Sequence, residues 1–190
     1  MRRYIYFVFL LCCAVNLLLT SCVRQKYVVM DMVHHNPGEA MTESKFLDPS
    51  FLKKNEYGAK VFFLFEAAQF GIDWKSFDPS LFPDTTEAGR WVAEKAEIIH
   101  KKYDAAKKED LQVYCMLDML VLPSLLVEKH RTELTNEQGK LDISKPYTQL
   151  CIRELMKEMF ETFPQLDGLV IRTGETYLHD APYYVGNHPV

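Results

Sequence analysis

The sequence predicts an α/β fold in which parallel strands are covered by helices, and three observations lead there. Four short apolar runs, rich in β-branched and aromatic residues, read as strands; the segments between them carry helical periodicity; and the runs are continuous rather than alternating. Continuous runs belong to strands buried on both faces, and strands that alternate with helices belong to a parallel sheet.

The first element precedes the fold. Met1-Arg2-Arg3 is a short positive region, and Tyr4 to Leu19 is a run of sixteen residues with Asn16 as its one strongly polar member. This is the layout of a secretory signal peptide, and it is shorter than the roughly 20 apolar residues of a spanning helix. It closes on Leu19-Thr20-Ser21-Cys22, which matches the bacterial lipobox, so cleavage before Cys22 and acylation of its thiol are expected. Two or three acyl chains, palmitate among them, hold a protein firmly because burial contributes about 0.8 kcal/mol per methylene. The expected organisation is a signal peptide over 1–21, a lipidated tether over 22–26 and a folded domain over 27–190. Localisation follows as the cell envelope, on the outer membrane, with the membrane as a partner through lipid.

The strands are predicted at Tyr27 to Val33, Lys60 to Phe65, Leu111 to Leu117 and Gly168 to Arg172. The strongest helix runs from Tyr147 to Phe163, where Ile152, Leu155, Met156, Met159, Phe160 and Phe163 recur at three- and four-residue steps between Pro146 and Pro164. A second spans Thr85 to Lys108. Its start, Asp84-Thr85-Thr86-Glu87, allows Asp84 to cap and Glu87 to reach back, and Trp91, Ala96, Ile99 and Tyr103 can form its buried side. Shorter helices are expected at Pro49 to Glu56 and Ser124 to His130.

Composition narrows the function classes. Arg2 and Arg3 are the only charges in 1–21, so the mature chain keeps 20 basic against 26 acidic residues, a net charge of −6, and nucleic acid is an unsuitable partner. Cys115 and Cys151 remain beside Cys22; a bridge between them is one arrangement, and two buried free thiols are the expected one. The first strand leads into His34-His35-Asn36-Pro37-Gly38-Glu39, with neither G-x-G-x-x-G nor a phosphate loop, and no cofactor is expected. His34, His35 and His179 lack H-x-x-H or H-E-x-x-H spacing, so no metal site is expected.

Between a doubly wound sheet and a (β/α)8 TIM barrel, the second is the better reading, because barrel function sits just beyond the carboxyl ends of the strands. Here those positions hold His34 and His35, then Glu66, then Asp118, then Arg172 and Glu175. Four βα units make a partial barrel, since a full one has eight and about 250 residues. The expected object is therefore a half-barrel that lacks its second half or covers its edges as a homo-oligomer.

The stretches Met30-Asp31-Met32-Val33-His34-His35-Asn36-Pro37-Gly38-Glu39 and Phe163-Pro164-Gln165-Leu166-Asp167-Gly168-Leu169-Val170-Ile171-Arg172-Thr173-Gly174-Glu175-Thr176-Tyr177 resemble the N-terminal half of glycoside-hydrolase-like (β/α)8 barrel lipoproteins of gut Bacteroidota. The resemblance covers about Lys26 to Pro189. It implies carbohydrate processing, and it makes Glu175, at the end of strand four, the candidate general acid. Glycoside cleavage uses two carboxyl groups about 5 to 9.5 Å apart. The usual nucleophile lies in a second half without counterpart here, and Asp118 or Glu66 would have to replace it. His35, Glu66, Trp74, Arg172, Tyr177 and His179 are candidate substrate-binding residues, with Tyr183 and Tyr184 as further stacking surfaces for a glycan. The leading expectation is a carbohydrate-processing half-barrel inactive alone; the second is a non-catalytic envelope lipoprotein that binds glycan or protein; an intact small enzyme is the third.

Overall fold

A computed structural model of the protein describes residues 28–31, 45–63, 66–173, 176, 178 and 181–187. Cys22, His34, His35, Glu175, Tyr177 and His179 lie outside the described residues.

Short-range chemistry sets the helices. In α1, Pro49–Lys54, Asp48 caps the amide of Ser50 at 2.9 Å and Pro49 opens the first turn, where a missing N–H costs nothing. The long helix α2, Glu87–Lys108, starts two residues later than expected, and so does its cap: Thr86 Oγ1, not Asp84, accepts from the amide of Gly89 at 3.0 Å. Asp84 pairs instead with Lys75, at 3.1 Å. The loop before α2 folds tightly over its first turn, and a Cβ on Gly89 would meet the carbonyl oxygen of Pro83 at 2.1 Å, so glycine is required there. On the buried side, Ile99 and Tyr103 are covered as expected, Val92 joins them, and Trp91 and Ala96 are half-buried against the core. The helices α3, Ser124–Lys129, and α4, Arg131–Leu134, are short. In α5, Pro146–Thr162, Cys151, Ile152, Leu155 and Met159 face the core, while Phe160 is exposed.

The strands are β1, Met30–Asp31; β2, Ala59–Phe62; β3, Gln112–Asp118; β4, Val121–Pro123; β5, Gly168–Arg172; and β6, Tyr184–Gly186. Three full strands and the two-residue β1 form one parallel sheet in the order β1-β2-β3-β5, so within it the strands stand in the sequence in which the chain makes them. The fold is therefore α/β with a parallel sheet, as expected.

Alternation along the strands divides the sheet into two faces. Phe62, Val113, Cys115, Leu117 and Leu169 share the face that meets the main core, where Phe62 lies 4.7 Å from Tyr103 of α2. Val61, Tyr114, Met116, Asp118, Gly168, Val170 and Arg172 share the other. There the ring of Tyr114 occupies the space above Gly168, and a Cβ at 168 would come within 2.7 Å of it. Asp167 fastens the start of β5, its carboxylate accepting from the amide of Val113 at 2.6 Å and from Lys107 at 2.5 Å.

A second, antiparallel ribbon joins β4 to β6, pairing Leu122 with Val185. It carries Tyr184 into the core, where its ring lies 5.0 Å from Phe70 and 5.7 Å from Phe82, and its hydroxyl donates to the carbonyl of Gln69 at 3.1 Å. Cys115 and Cys151 are free and buried, and burial pushes each thiol up to about 11.

Candidate functional site at the carboxyl edge of the sheet

Parallel strands bring their carboxyl ends to one edge, which is where the sequence concentrates its polar residues. Asp118 ends β3 and Arg172 ends β5, and the register of the two strands sets them side by side on the same face. Arg172 Nε donates to Asp118 Oδ1 at 2.6 Å and Nη2 donates to Oδ2 at 2.9 Å. This two-pronged fork is the geometry for which guanidinium and carboxylate are matched. Asp118 is 3% exposed, and the fork offsets part of the cost of burying its carboxylate.

Glu66, beyond the end of β2, is turned to the helical layer. Its carboxylate accepts from Lys102 of α2, and its backbone carbonyl accepts from the hydroxyl of Tyr103 at 2.9 Å. Burial, with Cys115 and Glu66 nearby, drives the phenol of Tyr103 well above its ordinary range. Glu66 thus ties the strand end to α2.

The aromatic residues expected to stack on sugar divide. Trp74 is wholly buried, with Phe77 in edge contact at 6.0 Å, so its ring faces are spent on the core rather than offered to a ligand. Tyr184 is buried in the same way. The expectation that both line an open subsite is corrected for one physical reason: each sits where the chain folds back over apolar neighbours. Tyr183 stays half-exposed and borders a groove of about 300 Å³. Leu81, Phe82 and Pro83 line its apolar side, with Ser124, Leu125 and Glu128 of α3 opposite. Burial, followed by the charge of Glu87, raises the Tyr183 phenol above its usual value.

One polar contact, between a buried glutamate and an exposed serine, was not anticipated. Glu158, 5% exposed on α5, accepts a hydrogen bond from the hydroxyl of Ser76. A glutamate at a helix-interior position flanked by Leu155 and Met159 is the signal that marks it. Among the described residues no group of three or more His, Cys, Asp or Glu side chains is arranged to hold a metal ion, and no helix is long and apolar enough to cross a membrane.

Compared with known proteins, the chain matches no family model, no curated protein and no solved structure.

Proposed function

We propose that the chain is a lipid-anchored cell-envelope protein built on the first half of a (β/α)8 barrel of glycoside-hydrolase-like kind, and that this half does not cleave sugar alone. The observation that carries the reading is the sheet: its strands are parallel and stand in chain order, with Asp118 and Arg172 from neighbouring strands meeting at the carboxyl edge. Barrels grow strand by strand in this way and keep their functional groups at that edge. The signal peptide ending in Leu19-Thr20-Ser21-Cys22 supports the anchor.

A second reading, a glycan- or protein-binding lipoprotein, is favoured by the Asp118–Arg172 fork. Both carboxylate oxygens are engaged by the guanidinium, and an attacking or proton-donating carboxyl would first have to leave it. In the first reading Glu175 supplies the general acid, and a second half of the barrel supplies its partner.

Two measurements test the proposal. Labelling with an alkyne analogue of palmitate in a bacterial host should mark the protein, and Cys22→Ala should abolish the label and release the protein from membranes; a labelled, membrane-bound Cys22→Ala variant refutes the anchor. The purified chain, incubated with a panel of polysaccharides, should release no oligosaccharide and should retard on gels containing at least one of them. Release overturns inactivity alone, and the absence of all retardation moves the second reading to a protein partner.

A further inference from the structure

Residues 73–84 form a strap between the 3-10 turn Ala68–Gly71 and α2. Lys75 draws its two ends together, lying 3.0 Å from Asp73 and 3.1 Å from Asp84. Asp78 ties its middle to Lys129 of α3 at 2.8 Å. Trp74 is its plug, wholly buried, with a backbone φ of 58°. That left-handed conformation is uncommon for a bulky residue and persists only where surroundings enforce it. Local turn bonds hold that backbone, the amides of Phe77 and Asp78 donating to the carbonyl of Trp74 at 3.0 and 2.8 Å, and Glu158 reaches across from α5, its carboxyl accepting from the hydroxyl of Ser76.

We propose that Glu158 is a pH-sensitive latch on this strap, holding Trp74 in the core and, with it, the groove wall that the strap's own Leu81, Phe82 and Pro83 form.

The groups that face it set the direction. Burial is the largest influence and favours the neutral acid; Asp73, on the strap, acts the same way. The hydrogen bonds of Ser76 and Trp74 and the charge of Lys157, on its own helix, oppose them, and Tyr184 of β6 lies within its field. The balance raises the carboxyl above its ordinary value while latched. A group that binds its proton more tightly in the closed form favours closure at low pH, and that advantage is lost as pH rises from the solvent value through the latched value.

Hydrogen exchange of the strap amides, corrected for intrinsic rates and read by mass spectrometry on the full mature chain, tests this. Protection of residues 73–84 should be lost in part as pH rises through the titration of Glu158. Glu158→Gln, which keeps an acceptor for Ser76 but cannot ionise, should give pH-independent protection. Ser76→Ala should lower protection on both sides of that titration and keep the response. A wild-type strap indifferent to pH, an unchanged response in Glu158→Gln, or wild-type protection in Ser76→Ala each overturns the latch.

Discussion

Arg172 supports the buried carboxylate of Asp118 with two hydrogen bonds. Removing one member of a buried pair strands the other charge, at a cost of about 3–5 kcal/mol, whereas replacing both with apolar groups of similar size costs far less. Arg172→Ala should therefore lower the unfolding free energy in a urea titration by up to that amount, the arginine being only part-buried, and the double variant Asp118→Leu/Arg172→Met should recover most of the loss. Asp78 is the pH-dependent counterpart at the surface. The hydrogen bond from Lys129, with that from Ser80, holds its carboxyl down to about 2, against an ordinary 3.8. Its contribution is fully present above the ordinary value and disappears as pH falls toward about 2. Asp78→Asn should flatten the acid limb of a stability-versus-pH curve in that window and leave its slope above pH 5 unchanged.

At the scale of the element, the caps and the sheet show how far local rules reach. Thr86→Ala should cost about 1 kcal/mol by thermal unfolding, as loss of an N-cap does, while Asp84→Ala should cost only the little that an exposed ion pair is worth. The spacing of Asp84 and Glu87 suggested the opposite assignment. It failed because the bend over Pro83 moves the first helical turn, and sequence spacing carries no record of that bend. The main helices and the three full strands were legible because apolar runs and three-to-four periodicity are local signals. The ribbon was not: Val121–Pro123 is three residues ending in proline, and its partner lies more than sixty positions away. Asp118 and Arg172 were each recognisable at a strand end, but their fork depends on a register between residues 54 positions apart. Trp74 and Tyr184 were read as loop aromatics because nothing in their neighbouring residues announces that each turns inward.

For the whole molecule, one aromatic side chain binds distant parts into a common core. Tyr184 packs with Phe70, Phe82 and Trp91 and reaches Gln69 with its hydroxyl. Tyr184→Ala should cost about 3–5 kcal/mol in chemical denaturation, as truncation of a large buried aromatic does, and Tyr184→Phe about 1 kcal/mol for the hydrogen bond alone. If Tyr184→Ala unfolds as the wild type does, the ribbon is an ornament on an already complete core.

That hydroxyl bond spans 115 positions, and this long closure has a consequence for birth rather than for the finished protein. During synthesis the aromatic nest around Phe70 stands open until residue 184 has cleared the ribosome, because its last wall has not yet been made. Local helices can form and dissolve meanwhile, but the cooperative lock waits on the distant contact, as loop-closure entropy requires. Until that contact closes, the rings of Phe70 and Phe82 lack one of the faces that cover them in the finished protein.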